Sequence, residues 1–137
     1  MSNELTQHVA ATSGRSFSFN GRVRSFRYAL RGMRLMLVSQ HNAWIHFAAT
    51  VVVIGSGLAL GLSRADWCWI ILAIVGVWMA EALNTAFEFL CDVASPEFHP
   101  MVKNAKDVAA GAVLIAALGA VVIGLLVMGP MVWKMDV

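Results

Sequence analysis

Charge is what this chain has least of. Of its 137 residues, 13% are Asp, Glu, Lys or Arg and 59% are hydrophobic. A soluble domain carries about 25% charge, so an ordinary water-soluble globule is excluded. Cysteine is scarce as well, with Cys68 and Cys91 alone. At ~1.5 Å per helical residue they lie about 35 Å apart along one apolar run, which excludes a disulfide between them. Both read as small buried apolar residues. No GxxxxGK[ST] occurs, which excludes a P-loop as the nucleotide site. Residues 1–20 are polar and hold no apolar signal-peptide core. The expectation there is a mobile segment rather than a cleaved leader.

What is present is apolar length. Three runs, about 44–62, 67–91 and 108–133, each reach the ~20 residues that a helix needs to cross a bilayer. The sequence therefore predicts an all-α membrane protein, with residues 21–137 as one membrane-embedded domain. Basic residues are lopsided. Arg15, Arg22, Arg24, Arg27, Arg31 and Arg34 precede the first run, and Lys103 and Lys106 lie between the second and third. Only Arg64 and Lys134 fall on the other side. This asymmetry places the N-terminus in the cytoplasm and the C-terminus outside. Upstream, Phe26, Leu30, Met33 and Leu37 recur at intervals of 4, 3 and 4, one apolar helical face. Residues 21–39 are thus expected to form an amphipathic helix on the membrane surface. Its arginines would meet anionic lipid, and one or two could also reach a phosphate-bearing ligand.

Within the second run, Glu81, Asn84, Glu88 and Asp92 follow at i, i+3, i+7 and i+11, which puts them on one stripe of a helix. Leu83, Phe87 and Leu90 occupy the other side. A carboxylate in hydrocarbon costs roughly 2.5 kcal/mol or more. The stripe must therefore face protein, water, metal or substrate. Other polar positions have plainer readings. Gln40 and Asn42 suit a helix cap, Trp44 an interfacial anchor, and His46 helix packing. Gly55, Gly57 and Gly61 read as close-packing positions. Ser63 to Asp66 forms a short turn. Pro96 and Pro100 end the second helix and leave a loop over 94–106, with Asn104 as cap of the third and Lys106 and Asp107 in its first turn. Ala112, Ala116, Ala120 and Gly124 make a small-residue ridge, within the chain or between copies, which Gly129-Pro130 disrupts. Carboxylates with lysine and arginines at a membrane surface suit metal-bound nucleotide chemistry on a lipid. They also suit a small ion-coupled transporter, and a purely structural bundle stays open.

One resemblance bears on these alternatives. Glu81-x-x-Asn84-Thr85-Ala86-x-Glu88-x-x-x-Asp92, then Phe98-His99-Pro100 and Ala105-Lys106-Asp107-x-Ala109-Ala110-Gly111-Ala112-Val113-Leu114, is similar to the prokaryotic diacylglycerol kinase family. The resemblance covers about residues 20–130. It implies a homotrimer, each protomer an N-terminal surface helix and three transmembrane helices, with active sites shared between neighbours. It also implies phosphate transfer from ATP, with Mg²⁺, to a membrane lipid alcohol at the bacterial inner membrane, and no nucleic-acid partner. The stretch Asn42-Ala43-Trp44-Ile45-His46 resembles the branch that phosphorylates undecaprenol more than the one that phosphorylates diacylglycerol, which is the alternative.

By the same resemblance, Glu81 is the catalytic base, Asn84 supports the site and Glu88 ligates the metal. Lys106 and Asp107 contact the nucleotide, Lys106 at its phosphates. Glu97, Phe98 and His99 lie by the adenine. Tyr28 and Arg22 or Arg24 close over ATP. Where the family often has a second metal-ligating glutamate, this chain has Gln40. Its amide oxygen can still bind Mg²⁺ but lacks the charge.

Overall fold

A computed structural model describes residues 18–135, with side chains described as far as Trp133. It holds four α-helices: α1 (Phe19–Ser39), α2 (His41–Ala59), α3 (Arg64–Ala94) and α4 (Pro100–Met135). The mobile segment expected over residues 1–20 falls almost wholly outside the described residues, as do Arg15 and the Lys134 side chain.

The chain divides after Arg34 into two units. In the first, the described part is one helical stretch. It begins two residues before the expected start because Ser18 caps it, its Oγ accepting from the Gly21 amide at 3.3 Å. Phe26, Tyr28, Leu30 and Met33 are all exposed there, as are the arginines.

The second unit starts in the last turn of α1, where Met36 is buried, and holds the three long apolar helices. Gln40 sits at the N-cap of α2 in an extended conformation, but its side chain makes no cap hydrogen bond. The capping expectation is thus corrected: that side chain goes elsewhere. The turn from α2 to α3 is a Schellman motif. The Gly61 amide donates to the Leu58 carbonyl at 3.3 Å and the Leu62 amide to the Gly57 carbonyl at 3.1 Å. Gly61 has φ of 65°, a left-handed conformation that L side chains resist. Gly57 is buried because Leu62 and Trp67 close over it. Ser63 and Asp66 then form a capping box that starts α3.

The loop from α3 to α4 is shorter than expected. α4 begins at Pro100, a residue suited to the first helical position because it has no N–H to leave unpaired. His99 is its cap, Nδ1 accepting from the Met101 amide at 3.2 Å. Asn104 therefore lies inside α4 rather than capping it, and Lys106 and Asp107 sit beyond its first turn. α4 also continues through Pro130 to Met135, so Gly129-Pro130 does not end it.

α3 packs most extensively against α4 and less against α2. Its buried residues Ile70, Val77, Asn84 and Cys91 recur every seven positions, with Glu81 and Thr85 beside them, which is the seam of a helix gripped by neighbours. α2, α3 and the segment Pro100–Trp133 are each long and apolar enough to cross a membrane, at 19, 31 and 34 residues. Many large apolar side chains on them point outward, among them Val52, Leu58, Leu72 and Leu126, as lipid or a protein neighbour requires. Cys91 is buried and Cys68 exposed, so the buried reading is corrected for Cys68.

Candidate active site

Along the seam of α3 the stripe grades outward: Glu81 and Asn84 are buried, Glu88 is half-buried and Asp92 exposed. Glu81 has 0% exposure, and neither carboxylate oxygen has a hydrogen-bond partner. One ion-pair contact reaches it, from His46 Nε2 on α2 to Oε2 at 3.8 Å. Thr85 Oγ1 donates to the Glu81 carbonyl at 2.9 Å, so Thr85 serves the helix backbone and leaves the carboxylate alone. The α2 backbone beside this pair is braced. Thr50 Oγ1 donates to the His46 carbonyl at 2.7 Å, and Trp78 Nε1 on α3 donates to Thr50 Oγ1 at 3.1 Å.

Two turns further along α3, Glu88 is held by two amides. Asn84 Nδ2 donates to Oε1 at 3.0 Å and Gln40 Nε2 to Oε2 at 2.6 Å. The two residues expected at the metal, Glu88 and Gln40, thus meet although 48 positions apart. Asn84 Oδ1 is buried and unpartnered. Three buried oxygens without a donor, two on Glu81 and one on Asn84, are unusual, since most buried polar atoms are paired. They form an acceptor-rich surface suited to a hydroxyl, a cation or water.

A cavity of about 230 Å³ adjoins this cluster. Asn42, His46, Asn84 and Glu88 line its polar side, while Ala110, Val113, Leu114 and Ala117 of α4 form an apolar wall. Ile45, His46 and Ala117 also border a larger groove of about 770 Å³ between α2, α3 and α4, otherwise almost wholly apolar and running to Trp133. At the end of α3, Lys106 Nζ pairs with Asp92 Oδ1. Asp107 pairs instead with Lys103. The neighbours Lys106 and Asp107 thus have different partners, with Asp92 engaged by the lysine.

The remaining candidates are less gathered. Glu97 and Phe98 are exposed in the loop, and His99 is occupied as the cap of α4. Arg22, Arg24 and Tyr28 are exposed on α1 in the first unit. The sequence reads His46 as a packing residue at the same membrane level as the stripe and gives Trp78 no part; the structure sets His46 against Glu81 and ties Trp78 to Thr50 beside it.

A buried carboxylate on a helix able to cross a membrane, beside a cavity that shares Ile45, His46 and Ala117 with an apolar groove, defines an enzyme or carrier working at the bilayer. Residues 27–128 match the family Prokaryotic diacylglycerol kinase. The chain is 39% identical to Undecaprenol kinase of Bacillus subtilis (strain 168) over 107 residues, 78% of this chain and 87% of that protein. It is 40% identical to Diacylglycerol kinase of Synechocystis sp. over 101 residues, 73% of this chain and 58% of that protein. It is 30% identical to Diacylglycerol kinase of Escherichia coli (strain K12) over 110 residues, 73% and 82% of the two chains. The chain belongs to the prokaryotic diacylglycerol kinase family. It is a multi-pass membrane lipid kinase, and of the two active alternatives the family selects the kinase over the transporter.

Proposed function

We propose that the chain transfers the γ-phosphate of ATP to the hydroxyl of undecaprenol, with Glu81 as the base. The observation that carries this is the buried, unpartnered Glu81 carboxylate one turn before Asn84 and two turns before the Glu88–Gln40 pair. A base needs an oxygen able to accept a proton within reach of its substrate, and Glu81 is the one carboxylate among the described residues with both oxygens buried and neither hydrogen-bonded. In the reaction, Glu81 takes the hydroxyl proton while the lipid oxygen bonds to the γ-phosphorus and the bond to ADP breaks. Lys106 leaves Asp92 and offsets phosphate charge. Asn84 and Gln40 hold the Glu88 carboxylate in place. The inference for undecaprenol rests on Asn42, Ile45 and His46, which belong to the stretch resembling that branch and line the cavity. The similarity to two diacylglycerol kinases keeps diacylglycerol as the second reading.

The residues fit a magnesium ion carried by ATP. Glu88 offers a carboxylate, Asn84 Oδ1 is an orphaned buried acceptor, and Gln40 has an amide oxygen of its own. No three His, Cys, Asp or Glu converge among the described residues, so the chain would hold the ion together with its nucleotide rather than alone, as is usual for this cation. When bound, magnesium would offset the negative charge of the ATP phosphates. Further nucleotide contacts fall to Asp107, Glu97, Phe98 and His99, and to Tyr28 with Arg22 or Arg24, whose part is judged by substitution alone.

The same proposal covers the assembly and the orientation. α1 lies on the cytoplasmic surface, supported by its Phe26–Leu37 apolar face and its arginines. The N-terminus is cytoplasmic and the C-terminus outside, supported by the basic asymmetry. Three copies share sites, supported by the open space beside Gly111, Gly119 and Gly124 of α4, which leaves room for a neighbouring helix.

The test is transfer of label from γ-labelled ATP by purified protein in micelles, offered undecaprenol and diacylglycerol in parallel, with Glu81→Ala beside it. Label in undecaprenol, lost in the variant, is the expected result. Label mainly in diacylglycerol keeps the base and overturns the acceptor. Undiminished label with Glu81→Ala removes Glu81 from the reaction.

A further inference from the structure

We propose that His46 is the positioning residue for the Glu81 carboxylate, holding it ionised and aimed for proton abstraction. This rests on Glu81 being the base. An ionised carboxylate taken out of water needs a counter-charge or donors, or it neutralises. Glu81 is fully buried with no hydrogen bond to either oxygen, yet a base acts only in its ionised form. The residues around it narrow what meets that need. On α3 itself, Glu88 is acidic and already held by Asn84 and Gln40. α4 presents Ala110, Val113, Leu114 and Ala117 to the adjoining cavity, none of which can donate. α2 presents Asn42 and His46 to the cavity, and of the two it is His46 that reaches the carboxylate, its Nε2 3.8 Å from Oε2.

At that separation the two side chains are in contact range but do not yet share a hydrogen bond. The position of the imidazole is built into the fold. The His46 carbonyl is tied to Thr50, and Thr50 to Trp78 on the same helix as Glu81. α2 cannot slide past α3 without breaking that chain. The His46 side chain is also 15% exposed and lines both the polar cavity and the apolar groove. It stands where a lipid hydroxyl, its tail in the groove, meets the base. The proton removed from the lipid goes to Glu81, so His46 acts through Glu81 and not as a relay.

A packing histidine and a positioning histidine predict different rescues. In mixed micelles with ATP and undecaprenol, the full chain is compared as wild type, His46→Ala, His46→Leu, His46→Gln and Glu81→Ala. His46→Ala and His46→Leu should lower kcat roughly 10- to 100-fold with KM for both substrates within about 2-fold, the scale seen when an orienting partner is lost. His46→Gln keeps an N–H donor and should recover kcat to within about 5-fold of wild type. If His46→Leu recovers activity as well as His46→Gln, the side chain only fills space and the proposal fails. If Glu81→Ala is inactive while His46→Ala turns over normally, the proposal fails and Glu81 keeps its role. If Glu81→Ala itself stays active, both assignments fall together.

Discussion

The turn between α2 and α3 and the C-terminal half of α3 belong to one helical unit but treat their polar groups in opposite ways. At the turn, polar and conformational demands are met locally. Gly61 supplies the left-handed residue, the Leu62 and Gly61 amides reach α2 carbonyls, and Ser63 and Asp66 cap α3 reciprocally. In the second half of α3, three oxygens of Glu81 and Asn84 are buried without a donor, and Glu88 is held from a helix far away in sequence. The turn exists to make the fold. The stripe is tolerated by the fold, because unsatisfied buried groups cost stability and persist where function uses them.

The sharpest way to break that contrast is to remove the base while keeping its shape. Glu81→Gln should lower turnover by at least ~10³-fold, near the upper end for a positioned base. Its thermal midpoint in detergent should stay level or rise, because an unpartnered buried carboxylate is gone. A midpoint that drops would show that Glu81 holds the fold together and overturn the contrast from the site's side.

The turn should respond the other way. At Gly57 an added Cβ would stand 2.9 Å from Leu62 Cδ1 and 3.0 Å from the Trp67 ring. Gly57→Leu should therefore destabilise by about 1–3 kcal/mol, the usual range for overpacking, with turnover per folded molecule unchanged. Chemical denaturation in mixed micelles, paired with an active-fraction assay, measures both. Ser63→Ala removes one half of the capping box and should cost about 1 kcal/mol, again without a change in turnover. An equal loss of turnover in either variant would mean that the turn and the site are coupled.

The smallest effect sharpens the metal assignment. Gln40→Glu sets a second carboxylate against Glu88, where an amide now donates at 2.6 Å. Without Mg²⁺ the like charges should lower the thermal midpoint, and with Mg²⁺ the loss should be recovered. The Mg²⁺ concentration for half-maximal activity should fall several-fold, as added ligand charge raises affinity. An unchanged Mg²⁺ titration would remove Gln40 from the metal's surroundings.

Most of the fold was legible because each helix carries its own signal. The three apolar runs fall on the three long helices, and the stripe spacing placed Glu81 and Asn84 on the face that is buried, with Glu88 half-buried at its edge. The misreadings came at boundaries, where competing local signals are equally short. Asn104 is a good cap by type, yet Pro100 starts α4 earlier with His99 as its cap. Gln40 occupies a cap position, yet its amide finds a carboxylate on another helix. Within the site, Glu88 and Gln40 came from a family pattern, whereas His46 read as packing.

By itself the sequence determined what depends on neighbours along the chain. Apolar length makes the spans, a period near 3.6 aligns the carboxylates, and glycine and capping residues shape the turn. Those are one-dimensional properties, since residues three, four and seven apart share a face in any helix. What only the tertiary structure decided is which face meets which. Thirty-five positions separate His46 from Glu81 and forty-eight separate Gln40 from Glu88. Both contacts depend on the rotation and register of α2 against α3, which the Trp78–Thr50–His46 chain of hydrogen bonds fixes. A shift of one residue turns a helix face by about 100°, enough to carry His46 away from the base while leaving the hydrophobic content of the span unchanged.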